Sequence, residues 1–295
     1  MNIVNPFFRG LILTTMTPLL LLAACGGEDT SDMLASAKNY IEKNDNKAAI
    51  IQLKNALQKS PSSSEARYLL GKAFLQEGEA VASAIELRKA LDLQYSTDKV
   101  VPLLAKALLG NREYKKLVDQ YANTNLSEKS SLADLKTSLA LAYATQGDVQ
   151  KSQAALQAAF SAVPSYGPAW VFAARSQAAQ QHYDEAFASL DKALAATPDI
   201  PEAWHLKGDL LLYSKGDVKG AMDAYSKART SAPDYIPVRV AIISLLLANR
   251  DLQGARKEVD ELRNKFPQNF QTSYFNAQLA YLDREYAKAR LRLLR

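Results

Sequence analysis

The sequence predicts an all-α, right-handed superhelical solenoid of about eight stacked helix-turn-helix units, the last of them incomplete. Three recurrences predict it. A small residue returns every 34 or 35 positions: Ala37, Gly71, Ala105, Ala140, Ala174, Gly208 and Ala277, with Ile243 as the bulky exception. A second series runs half a unit behind it, through Ala49, Ser83, Leu117, Ser152, Ala186, Ala221, Ala255 and Ala289. A proline closes most units, at Pro61, Pro164, Pro198, Pro233 and Pro267. Fixed-period self-similarity of this length is the mark of a repeat array, whereas an alanine-rich bundle has no reason to keep one register.

Each half-unit carries apolar residues at helical spacing, and no segment alternates as a strand does. Antiparallel helices approach closely only where side chains are small. Large residues such as Tyr40, Phe74, Leu108 and Tyr143, then Leu53, Leu87, Tyr121 and Leu156, fill the flanking grooves. Gly78, Gly147 and Gly216 mark the turn between the two helices of their units. The late proline has no amide proton to continue a helix, so it ends the second one. With Trp204-x-x-Lys207-Gly208-x-x-Leu211 as a partial first-helix motif, the pattern resembles the tetratricopeptide repeat (TPR). The units fall at 30–63, 64–97, 98–132, 133–166, 167–200, 201–235, 236–269 and 270–295, the third and seventh being the most degenerate. One such unit cannot bury its own apolar face, so 30–295 is expected to form one continuous array. The serine-rich stretches 60–64 and 127–131 read as turns between units.

Residues 1–24 carry one charge, Arg9, and an apolar run from Leu11 to Leu22 that is too short and interrupted for a membrane span. The segment has the form of a secretory leader. It ends Leu22-Ala23-Ala24-Cys25, which resembles the bacterial lipobox, where cleavage precedes a cysteine that takes a diacylglycerol. Cys25 is the only cysteine, so it has no disulfide partner in the chain. Two or more acyl chains anchor a protein stably, at about 0.8 kcal/mol per buried methylene. Gly26 follows the cysteine instead of the aspartate of inner-membrane retention, so the resemblance favours an outer-membrane anchor facing the periplasm. The tether over 25–29 leads straight into the first unit, and Gly26 to Thr30 span at most about 18 Å.

Loss of Arg9 with the leader lowers the formal charge of +5 by one, too mild a balance to argue for nucleic acid. The chain has no Gly-rich phosphate loop, Gly-x-Ser-x-Gly elbow or His-Glu-x-x-His helix, and His182 and His205 sit in different units without metal-ligand spacing. The expectation is a non-enzyme with no cofactor and no metal.

In TPR arrays the first helices line the concave surface. The position after the small residue holds Lys38, Lys72 and Lys106, then Leu141, Arg175, Asp209, Ser244 and Gln278. Stacked lysines would favour an acidic peptide or an anionic polysaccharide, although exposed helix positions are commonly lysine in any case. The carboxylate-clamp type of TPR carries asparagine here, so its ligand is not expected. Further along, Leu212, Tyr213, Tyr274 and Tyr281 suit peptide or sugar stacking, or else packing between repeats. Intact partner binding after all three lysines became glutamate would sink this two-part groove. The last unit ends Ala-Arg-Leu-Arg-Leu-Leu-Arg, which leaves Leu291, Leu293 and Leu294 little to pack against. The expectation is an array that continues in a longer parent, with a frayed end here; a face that docks on a partner and a short basic amphipathic membrane tail are the alternatives.

Two stretches are more specific than a generic repeat. One runs Ala35-Ser36-Ala37-Lys38-Asn39-Tyr40-Ile41 and then Lys47-Ala48-Ala49-Ile50-Ile51-Gln52-Leu53-Lys54-Asn55-Ala56-Leu57. The other comprises Glu65-Ala66-Arg67-Tyr68-Leu69-Leu70-Gly71-Lys72 and Glu86-Leu87-Arg88-Lys89-Ala90-Leu91-Asp92-Leu93. Together with the lipobox they resemble the PrsT family, the TPR lipoproteins of PEP-CTERM/exosortase systems. That resemblance implies a scaffold whose protein partners belong to the envelope polysaccharide or exosortase machinery, and it carries over no catalytic residue. Two other classes stay open: a pilotin or outer-membrane-protein assembly lipoprotein, and an enzyme accessory whose catalytic domain lies beyond residue 295.

Overall fold

The computed structural model describes residues 29–293; the leader over 1–24 and Cys25 with its tether to Glu28 lie outside the described residues. Sixteen helices and no strand occur among the described residues. They pair as hairpins: α1 (Thr30–Glu42) with α2 (Asn46–Lys59), α3 (Ser64–Gln76) with α4 (Ala80–Asp92), α5 (Thr97–Gly110) with α6 (Tyr114–Tyr121), and α7 (Lys129–Thr145) with α8 (Val149–Ala162). The second half repeats the arrangement with α9 (Gly167–Ala179) and α10 (Tyr183–Ala196), α11 (Pro201–Lys215) and α12 (Val218–Ser231), α13 (Ile236–Ala248) and α14 (Leu252–Lys265), and α15 (Phe270–Leu282) and α16 (Tyr286–Leu293). First helices also touch each other from hairpin to hairpin, α1 on α3 and onward to α9 on α11. Contacts thus run between neighbours, as a solenoid requires.

The small positions are close-approach points. A β-carbon on Gly71 would lie 2.6 Å from Cγ of Leu87 on the paired helix, and one on Gly208 would overlap the ring of Tyr225. Bulky Ile243 is fully buried in a cluster with Ala255, Val259 and Leu262 of α14 and Phe275 and Leu279 of α15. Ser83 and Ser152, in the second small series, donate to the carbonyls of Gly71 (2.7 Å) and Ala140 (2.8 Å), so each buried hydroxyl is satisfied by the facing helix.

Every hairpin turn passes through a left-handed residue. Gly78, Gly147 and Gly216 fill this place in their units, but Asn44, Arg112, Gln181, Arg250 and Arg284 fill it in the others, with φ between 58° and 63°. The next residue caps the second helix where it is aspartate: Asp45, Asp148, Asp217 and Asp251 each accept from an amide in the first turn of that helix.

The turn between hairpins has its own device. Trp170 donates its indole N–H to the Pro164 carbonyl at 2.9 Å, and Trp204 does the same to Pro198 at 2.8 Å. Arg67 to Pro61 and Arg239 to Pro233 repeat the register with guanidinium donors. Those two arginines also reach Glu86 and Glu258, respectively, on the second helix of the same hairpin.

The third hairpin departs from the pattern. Its second helix α6 has 8 residues, and Asn123-Thr124-Asn125 follow where α2, α8, α10, α12 and α14 continue for another helical turn or more and end before a proline. Asp98 ties this longer connection down by accepting from Ser127 Oγ at 2.7 Å and the Glu128 amide at 2.9 Å. Those bonds, the Glu128 one first, hold its carboxyl below the usual range. Ser130 and Ser131, expected in a turn, instead lie in the first turn of α7, because the chain re-enters a helix directly after this tie.

Candidate functional site: the first-helix face

The odd-numbered helices build one continuous face, and two cavities open on it. The first, about 340 Å³, is lined only by α5, α7, α9 and the start of α11. Leu109, Leu141, Val171 and Phe172 give it an apolar floor, and Lys106, Asp134, Arg175 and Glu202 stand around the rim. The second, about 750 Å³, lies between α11, α13 and the first turn of α15, with Val218 and Tyr225 of α12 behind.

Of the expected basic ladder, Lys38 and Lys106 lie on α1 and α5 and are already engaged. Lys38 Nζ meets Glu65 at 2.8 Å and Lys106 Nζ meets Asp134 at 2.6 Å, each carboxylate coming from the next first helix. The bond to Glu65 holds the Lys38 ammonium above its usual value, against its partial desolvation. Lys72, half-buried on α3, has no ion pair among the described residues. Lysine, not a carboxylate, stands 27 residues further on, at Lys99, where the spacing of Lys38 to Glu65 would place its partner. Arg175 shares the smaller cavity with Glu202.

Tyr213 projects into solvent at the rim of the larger cavity, 81% exposed. Tyr274 and Tyr281 line neither cavity. Tyr274 stacks on Phe270 at 6.3 Å between ring centres, and Tyr281 packs edge-on against Tyr286 at 5.3 Å. Leu291, in the terminal helix, is 61% exposed.

The larger cavity contains residues that no motif in the sequence flags. Tyr225 is buried, and its hydroxyl donates to Asp209 Oδ1 at 2.8 Å. His205 Nε2 sits 3.7 Å from the same oxygen, and its ring packs against Tyr225 and edge-on against Tyr235, at 5.8 and 5.7 Å. Burial pushes the His205 imidazole below its usual value; Asp209 and Glu202 oppose that and Arg175 adds to it. Burial likewise raises Tyr225, reinforced by its bond to Asp209, and pushes Tyr235 up to about 12. Burial thus favours the neutral imidazole of His205 and the neutral phenols of Tyr225 and Tyr235. His205 and Asp209 are four apart on α11, which puts them on one helix face. That spacing, with Asp209 already assigned to the groove, was the available signal.

A stack of helical hairpins with an open, cavity-bearing first-helix face is the architecture of a repeat scaffold that binds other proteins. The chain belongs to the tetratricopeptide repeat family: one repeat model matches residues 34–94, 137–199 and 173–236, and a second matches 212–279. Among solved structures it is similar to a tetratricopeptide repeat protein from Parabacteroides merdae, at 15% identity, covering 84% of this chain and 98% of that one with a TM-score of 0.54. It is also similar to a chain of the APC/C hetero-tetramer Cut9–Hcn1, at 15% identity over 75% of this chain and 42% of that one, with a TM-score of 0.53. A thermophilic TPR protein from Thermus thermophilus aligns at 22% identity over 74% and 99%, with a TM-score of 0.42. Comparison with curated proteins finds no match.

Proposed function

We propose that this chain is a lipid-anchored TPR scaffold of the bacterial cell envelope, held by Cys25 in the outer membrane, that gathers protein partners for exopolysaccharide assembly and export or for sorting of PEP-CTERM proteins. The observation that carries the binding role is the first-helix face, where two cavities combine apolar floors with a few charged and hydrogen-bonding groups. Anchoring rests on the sequence Leu22-Ala23-Ala24-Cys25, and the choice of machinery rests on the resemblance of the first repeats to the PrsT family. The scaffold works by positioning, so no chemical step is assigned to any side chain.

In-cell crosslinking of the full-length lipoprotein, followed by mass spectrometry, tests this. Recovery of polysaccharide synthesis, export or exosortase components is the expected result. Recovery of secretins, pilins or barrel-assembly proteins would replace it with the pilotin or assembly-factor reading. A Cys25→Ser chain that stays in the membrane fraction would remove the lipid anchor.

A further inference from the structure

Charge is distributed unevenly along the first-helix face. The smaller cavity is balanced, with Lys106 and Arg175 against Asp134 and Glu202. The larger one is lined by no lysine or arginine, and its single carboxylate is Asp209. Only one oxygen of that carboxylate is engaged: Oδ1 takes the Tyr225 hydroxyl and faces His205, while Oδ2 has no protein partner among the described residues. Arg175 lines the adjoining cavity together with Glu202, and the two act on His205 in opposite senses.

The groups around Asp209 complete a recognisable receptor. Leu212, Ile236, Val240 and Ala241 offer an apolar wall for an aliphatic stem, and the exposed ring of Tyr213 stands at the mouth, where a cation can lie over its face. Ser244, Asn249 and Gln271 supply both donors and acceptors at the rim, the complement of an extended peptide backbone. A long side chain with an apolar stem and a cationic head satisfies all three parts at once.

We propose that the cavity between α11 and α13 is a specificity pocket for a lysine or arginine side chain of a partner polypeptide, with Asp209 as its counter-ion. This rests on the scaffold reading, because it takes for granted that the first-helix face receives polypeptide. It deepens that reading by fixing the sign of the partner: the segment bound at repeats six and seven is basic, whatever meets the lysines of the first three repeats.

The test exposes the full chain in detergent micelles to a library of terminally capped heptapeptides randomised at every position, and sequences what is retained. Lysine and arginine should be enriched about tenfold over acidic residues at one position, as expected for a charge-assisted bond in a partly desolvated site. Asp209→Asn keeps an oxygen for the Tyr225 hydroxyl and should abolish that enrichment. Ser244→Lys, on an exposed position of the same cavity, should do so by supplying the cation internally. Enrichment of neutral or acidic residues, or basic enrichment unchanged in Asp209→Asn, overturns the pocket. If retention depends instead on Lys106 and Arg175, the pocket falls and the scaffold reading stands; if no peptide is retained by the native chain, both fall.

Discussion

The ring of Tyr225 rests on the bare backbone of Gly208, and its hydroxyl donates 2.8 Å to Asp209, the next residue along α11. One side chain thus closes the hairpin of repeat six and holds a carboxylate that lines the larger cavity. Packing and the proposed recognition are coupled here, which makes the position a sensitive probe of both.

Gly208→Val should therefore destabilise the array by about 2–3 kcal/mol, since the ring cannot withdraw without opening the α11–α12 contact. Gly78→Ala is the control. A β-carbon there meets no atom within 4 Å, so only its φ of +79° opposes the change, at roughly 1–2 kcal/mol. Urea unfolding followed by circular dichroism separates the two.

The hairpin turn of repeat five has neither of the two residues that its neighbours use. Gln181 adopts φ +62° without being glycine, and His182 caps α10 with no side-chain bond. Gln181→Gly should stabilise by about 0.5–1 kcal/mol by removing β-carbon strain. His182→Asp should add about 0.5–1 kcal/mol as a helix cap. Asp251→Ala, which deletes such a cap from α14, should lose about 1 kcal/mol. Melting temperatures of the three single variants check the signs.

Arg239 and Glu258 are 7% and 9% exposed, and Glu258 also takes Arg229. Removing Glu258 takes the bonded carboxylate from Arg229, while buried Arg239 keeps Glu261 at 3.5 Å and its bond to the Pro233 carbonyl, so Glu258→Ala should cost about 1.5–3 kcal/mol. Replacing Arg239 and Glu258 together by Met and Leu should cost far less. A double-mutant cycle in urea reads the difference.

His205 contributes a pH dependence of defined sign. Burial lowers its folded-state value below the usual 6.5, so the unfolded chain binds the proton more readily. Its contribution is complete above pH 6.5 and is lost as pH falls from there toward the folded-state value. Stability measured from about pH 7.5 to about pH 5.5 should decline in the native chain and decline less in His205→Gln.

Much of the architecture was legible because it is dictated by steric limits that leave a periodic trace. Gly71 and Gly208 had to be small, the late prolines had to end helices, and glycine at 78, 147 and 216 advertised left-handed turns. The same turn at Arg112, Gln181, Arg250 and Arg284 was invisible, since those residues tolerate the conformation without favouring it. The candidate site on the first-helix face was legible only in part. Lys38 and Lys106 could be placed on one face by register. Their carboxylate partners, Glu65 and Asp134, come from the following hairpin, and periodicity does not reveal pairs across repeats. The cluster of His205, Asp209 and Tyr225 escaped for a related reason: Tyr225 occupies a position where large apolar residues are expected, and only its distance to Asp209 shows that its hydroxyl matters.

If partners bind the first-helix face, site-specific photocrosslinking in cells should map them there. A photoreactive residue at Leu141 or Tyr213, on exposed positions of α7 and α11, should capture partner polypeptides, while the same residue at Ile51 or Val149, 60% exposed on the second helices α2 and α8, should capture little. Capture from Ile51 and Val149 with none from Leu141 and Tyr213 would place the partners on the opposite face and contradict the scaffold geometry proposed above.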